Sequence, residues 1–182
     1  MANPEYQEKL DSLDKLSVCL YRTGISLFAI ALLFLALSLS SLFNLTHTLS
    51  LSLLITGIAA AMCAANLHVY NKWVRTIIVW SAWIGILLIL SDPQQGRVWL
   101  SLGFLFITLS GLALKESFCF KVLGLKVVPI LLASSIGLLY FTQTIYASIL
   151  LALTGLIVGY LSFKKWQMPL HFDIGIKANY EI

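Results

Sequence analysis

The sequence predicts an all-α polytopic membrane bundle: six transmembrane helices in three hairpins, both termini on the cytoplasmic side, with an amphipathic helix ahead of the first span. Composition, the lengths of the apolar runs and the sidedness of positive charge carry that prediction. Of 182 residues, 59% are hydrophobic and only 11% are charged, whereas soluble domains carry about 25% charged residues. A chain this short with so few charges lacks the polar surface to cover a water-soluble globule, so lipid is part of its solvent. The expected organisation is an amphipathic cytoplasmic or interfacial helix over 1–23, a six-span domain over 24–163 and a cytoplasmic tail over 164–182.

The leader 3–22 reads as a helix. Asn3 can cap it and Pro4 suits its first position. Tyr6, Leu10, Leu13, Leu16 and Leu20 recur at helical steps, while Glu8, Lys9, Asp11 and Lys15 occupy the opposite face. Such a helix can lie in the membrane interface, pack on a partner or pack on the protein's own loops. Its acidic residues do not suit the short, positive start of a cleavable signal.

Apolar runs follow at 25–43, 48–69, 76–91, 98–114, 127–142 and 145–163. A span needs about 17–25 residues. The third and fifth runs are at the short end, with flanking Trp, Tyr, Lys and Arg to extend them. The stretch 127–163 is uncharged and about twice the length of one span, so it must fold back, and Thr142-Gln143-Thr144 is the polar place to turn. Asp92-Pro93-Gln94-Gln95-Gly96 is a second outer turn, with Pro early and Gly late. The first outer connection is Phe43-Asn44-Leu45-Thr46-His47; its glycosylation-like Asn44-Leu45-Thr46 lies too close to the membrane to carry weight.

Of the 12 Lys and Arg residues, all but Arg97 fall in the leader, the second-to-third and fourth-to-fifth connections, and the tail. Positive residues stay cytoplasmic. Dropping any span would mix the charges across both faces. The same sidedness explains a pI near 9 without nucleic acid as a partner; the expected surroundings are the lipid bilayer and other membrane proteins.

Lipid tails remove the hydrophobic drive for helices to associate, and close packing through small residues replaces it. Gly57, Ala61 and Ala65 form one small-residue stripe on the second span. Ser148, Ala152, Gly155 and Gly159 form another on the sixth, suited to packing within the bundle or against a partner. Ala133 and Gly137 lie on the fifth.

Chemistry is sparse. No span centre carries a charge, which argues against proton-coupled transport, voltage sensing or a cation pore. No nucleophile, phosphate-loop or metalloprotease motif is present. Cys19, Cys63 and Cys119 fit neither a zinc site nor a disulfide framework. The expectation is therefore no metal, no cofactor and no enzymatic activity. A histidine at a span end is the residue type that ligates chlorophyll, and His68 is so placed, as is His47; neither chlorophyll nor carotenoid has other support in the sequence. The most unusual segment is 115–126, where Lys115, Glu116, Phe118, Cys119, Phe120 and Lys121 mix basic, aromatic and sulfur groups at the cytoplasmic face. It reads either as a partner-docking or thiol site or as an interfacial turn with its aromatics in lipid. In the tail, Phe172, Ile174 and Ile176 alternate with polar residues, a strand-like pattern that can add to a partner's sheet edge or stay disordered.

Ala113-Leu114-Lys115-Glu116-Ser117-Phe118-Cys119-Phe120, followed by Gly124-Leu125-Lys126-Val127-Val128-Pro129, resembles the central signature of an uncharacterised integral membrane family known chiefly from cyanobacteria and other bacteria. Asn66-Leu67-His68-Val69-Tyr70 is similar to a second, looser feature. The resemblance spans roughly the first to the sixth span, with the leader and the tail outside it. It implies no enzyme activity, so no catalytic residue carries over. For a cyanobacterial source it implies a thylakoid or plasma membrane protein, and an accessory role in assembling photosystem complexes. The rival expectation is a small-solute transporter or channel, with a polar path near Asn66 and Thr154. Membrane-impermeant labelling tests the orientation. In intact cells Lys121 and the tail should stay unlabelled and should react after permeabilisation; labelling from outside would reverse the topology.

Overall fold

The computed structural model describes residues 9–40, 48–119, 122–175 and 180–181. It is a helical bundle of α1 (Ser12–Leu39), α2 (Thr48–Ala65), α3 (Lys72–Ser91), α4 (Val98–Cys119), α5 (Val128–Tyr140), α6 (Thr144–Trp166) and a short α7 (His171–Ile174), with a 3-10 turn, Leu125–Val127, leading into α5. Five helices are long and apolar enough to cross a membrane; α5 with its 3-10 turn is a shorter apolar helix. No strand occurs among the described residues.

From Ser12 onward the leader and the first span are one helix. Asn3 and the start of the leader lie outside the described residues. Asp11 caps α1: its carboxylate accepts the Asp14 backbone N–H at 2.7 Å while Asp14 accepts that of Asp11 at 3.0 Å. Nothing between Tyr21 and Ile25 breaks the helix, so it runs through the boundary expected at residue 23. At 1.5 Å per residue, α1 is roughly 42 Å long, against a hydrocarbon core of about 30 Å. Its first turns therefore extend beyond the core, with Leu13 and Leu16 exposed and Val18 and Tyr21 buried.

Consecutive helices pack side by side and α6 closes back on α1, so α1 to α6 form a ring in chain order. Phe28, Leu32 and Leu35 of α1, Ala59 and Cys63 of α2, Leu105 and Leu109 of α4, Leu132 of α5 and Leu151 of α6 fill its interior. α3 is the most outward helix: Trp73, Ile77, Trp80, Leu87 and Leu90 face away from the bundle, and only Ile78, Ser81, Ala82 and Gly85 are buried. The expected turn does fall at Thr142, which adopts φ of 59° as α5 ends and α6 begins.

Small residues set the close contacts, but not all at the positions expected. Gly155 and Gly159 both face Ala29 of α1, within the bundle. On α2 the inward face is Ala59, Ala60, Cys63 and Ala64; Gly57 and Ala61 are half-buried and Ala65 is exposed. That rotation follows from α1, whose Gly24 lies directly against Cys63 and Ala59. A Cβ on Gly24 would sit 2.6 Å from the Cys63 sulfur and 3.2 Å from the Ala59 carbonyl oxygen. α3 and α4 approach through Gly85 and Gly111, packed on Leu105 and Ile78, a contact the small-residue stripes did not include. Overpacking costs about 1–3 kcal/mol, so Gly24→Val should lower the thermal stability of detergent-solubilised protein by that order. Gly137→Ala, where nothing lies within 4 Å of the new Cβ, should not lower it. Equal effects would rule out the proposed α1–α2 contact.

Candidate functional site: an ion-paired cleft at the basic end

The helix ends that carry the positive residues converge on a buried cluster of charges. Counting at 1.5 Å per residue, Arg22, Glu116 and Lys165 lie roughly 26–32 Å from the opposite ends of their helices. That is one margin of a hydrocarbon core about 30 Å thick. The span centres stay uncharged, as read from the sequence. Residues assigned there to cytoplasmic flanks are instead enclosed, with Arg22 2%, Glu116 1% and Lys165 1% exposed.

Each charge continues the buried stripe of its own helix. On α4 the inward residues Leu102, Leu105, Leu109 and Leu112 lead at steps of three and four to Glu116. On α1 the stripe through Val18, Ile25, Ala29 and Leu32 includes Arg22. On α6, Leu151, Gly155, Val158 and Ser162 lead to Lys165. Helical geometry thus delivers three ionised groups to one place, and burying them requires partners. Lys165 Nζ donates to Glu116 Oε2 at 2.8 Å and also pairs with Asp173. Arg22 donates through Nε to Asp173 Oδ2 at 2.7 Å, and through its other nitrogens to the carbonyls of Met168 at 2.8 Å and Pro169 at 3.0 Å. The Tyr21 hydroxyl donates to Glu116 Oε1 at 2.7 Å. Lys115 lies 4.5 Å from the centre of the Tyr21 ring and 3.4 Å from Glu116 Oε1.

The tail departs from the extended pattern its alternation suggested. Asp173, drawn in by Arg22 and Lys165, sits in the single turn of α7 with Ile174 buried beside it. Gly175 then turns at φ of 68° directly against Tyr70, where a Cβ has no room. Farther on, Tyr180 donates to the Ile174 carbonyl at 2.6 Å. The Glu181 carboxylate accepts the first backbone N–H of α3, from Lys72, at 2.9 Å, and Arg75 donates to the Glu181 carbonyl at 2.9 Å. The tail is thereby strapped across the α2–α3 connection.

Between the strap, the α2–α3 connection and the end of α4 lies a cleft of about 560 Å³ lined by His68, Val74, Leu114, Lys115, Glu116, Phe118, Cys119 and Asp173, among others. The residues read as one docking motif are divided by the helix. Glu116 points inward and Lys115 is half-enclosed, while Phe118 and Cys119 are exposed. Phe120, Lys121 and His47 lie outside the described residues. His68 stands in the cleft wall, its ring edge-on to Tyr180 with centroids 6.3 Å apart. Burial, then the Lys115 charge, lowers its pKa from the ordinary imidazole value, favouring the neutral ring. Among the described residues no group of three His, Cys, Asp or Glu is placed to hold a metal. Sequence reasoning missed Arg22, Lys165 and Asp173 as site residues, although the step pattern of each helix held the signal for the first two.

Removing one partner of a buried ion pair costs about 3–5 kcal/mol because the other charge stays buried. Arg22→Met and Asp173→Leu should each destabilise the solubilised protein on that scale. The double substitution should lie closer to wild type than the sum of the two, read as a double-mutant cycle on thermal unfolding. Strict additivity would show that the pair does not form.

Residues 45–182 match the family described as Uncharacterized integral membrane protein (DUF2301). The match begins beyond the first span and includes the tail, so the tail belongs to the matched part, which the sequence resemblance had left outside. An uncharacterized protein of Haemophilus influenzae is 36% identical over 182 residues, covering 100% of both chains. No solved structure matches. By the family match over most of its length and a relative aligned from end to end, this chain belongs to the DUF2301 family of integral membrane proteins.

Proposed function

We propose that this protein is a non-catalytic accessory component of the bacterial plasma membrane, acting by recognition at its basic end. The observation that carries this reading is the use made of its polar groups. Glu116, Asp173, Lys165, Arg22 and Tyr21, the groups with the chemistry for proton transfer or ion passage, bond to one another across α1, α4, α6 and the tail. Asn66 and Thr154, which a transport path would line up, donate instead to carbonyls four residues back, at 2.8 Å and 2.7 Å. A solute path needs such groups turned toward the passage. The same end offers an open cleft and the exposed apolar side chains of Phe118 and Leu123.

The narrower expectation, photosystem subunits as partners in a thylakoid, draws no support from a full-length relative in Haemophilus influenzae. The proposal therefore stops at components of the bacterial membrane. Tagged protein purified from its own host in mild detergent should retain a defined membrane component, identified by mass spectrometry and lost from Phe118→Glu. Reconstituted in liposomes, it should give no solute flux above protein-free vesicles. Saturable flux that responds to Asn66→Ala or Thr154→Ala would replace this reading with the transporter.

A further inference from the structure

We propose that the cleft at the basic end binds an anionic lipid, with its acyl chain leaving over the apolar rim and its headgroup against Lys115. This rests on the reading of that end as a recognition surface and names what is recognised.

Shape and position come first. A volume of about 560 Å³ lies within the roughly 300–1,000 Å³ of small-molecule sites. The cleft stands at the level of the headgroups, by the helix positions of Glu116 and Lys115. Its rim residues Val74, Leu114 and Phe118 are 47%, 43% and 77% exposed. They belong to the outer faces of α3 and α4, which look toward lipid. The cleft is apolar where it meets the bilayer and charged within, the polarity of one amphiphile lying across the interface.

Charge then selects the headgroup. Three cations, Arg22, Lys115 and Lys165, meet two carboxylates, Glu116 and Asp173, so the cluster has a surplus positive charge. Both carboxylates border the cleft, yet each is already engaged by the cations beside it. Glu116 Oε1 faces Tyr21 and Lys115, and its Oε2 faces Lys165; Asp173 is held by Arg22 and Lys165. They have little left to offer a cationic ligand. Lys165 is enclosed, its side chain 2% exposed, whereas Lys115 keeps 18% and borders the cleft. His68 adds a buried Nδ1 with no hydrogen-bond partner among the described residues, in the same wall. An anionic oxygen beside Lys115 would balance the surplus charge, and the inner leaflet supplies such headgroups.

Titrating the delipidated, full-length protein in detergent with oleate, oleyl alcohol and inorganic phosphate tests this, with binding read by thermal shift and by native mass spectrometry. Oleate should bind saturably at one per chain and raise the unfolding temperature. Oleyl alcohol, with the same chain and no charge, should bind at least about tenfold more weakly, equivalent to about 1.4 kcal/mol. Phosphate alone should produce no shift in the same range. Lys115→Gln should abolish the preference for oleate over the alcohol. Val74→Trp, which fills the rim without touching the ion pairs, should weaken both. Equal binding of acid and alcohol, binding of phosphate as strong as that of oleate, or oleate binding unchanged in Val74→Trp would each overturn the assignment. Absence of oleate binding alongside retention of a native membrane component would reject the lipid site and leave the accessory reading standing. Solute flux in liposomes would reject that reading whatever the cleft holds.

Discussion

The bundle depends on a charge-neutralising knot at one end. Moving an ammonium, a guanidinium or a carboxylate out of water costs several kcal/mol per group even after relaxation, and mutual pairing offsets this only when the geometry is good and the remaining donors and acceptors are met. Here they are met by groups from different parts of the chain. α1 supplies Tyr21 and Arg22, α4 supplies Lys115 and Glu116, α6 supplies Lys165 and the tail supplies Asp173. Separating the tail from α1 or α6, or α6 from α4, would strand a charge at that end. Elsewhere in the ring, apolar side chains meet lipid as readily as one another, so this end has a specificity that grease alone does not provide.

Close packing does the rest. Gly24 against Cys63 and Gly85 against Leu105 bring backbones within reach of dispersion contacts. Thr56 and Ser135 satisfy their hydroxyls on carbonyls one turn back, while Thr108 of α4 donates across to the Ile78 carbonyl of α3 at 3.1 Å. A polar bond between helices is formed where Ser26 and Ser162 meet at 2.6 Å, with the Trp166 indole donating to Ser26 at 3.1 Å. It joins α1 to α6, the seam that closes the ring, just beside the charged knot.

Much of the fold was legible because membranes impose simple rules. Composition required lipid, run lengths marked the spans, and the isolation of Arg97 from every other cation assigned the two faces. The same charge rule hid the site. Lys165 and Arg22 were read only as positive charges on the cytoplasmic side, because position in the chain says which end a residue occupies, not which side of the helix it faces. The three-four stepping of Leu102, Leu105, Leu109, Leu112 and Glu116 carried that missing information. What no local pattern held was the pairing itself. Arg22 and Asp173 are separated by 151 positions, and only the closed ring brings them together. The strand-like alternation misled at Phe172 and Ile174, where the pull of two buried cations on Asp173 favoured a helical turn; Ile176 lies outside the described residues.

The strap formed by the tail has a consequence for biogenesis. α1 enters the bilayer carrying Arg22, while Asp173 is still unsynthesised and α2 to α6 are yet to emerge. The first span thus holds an unmatched cation until α7, which follows the other helices in chain order, supplies Asp173. Locking of the bundle therefore waits on α7, and a nascent product cut short before it would leave Arg22 without its carboxylate.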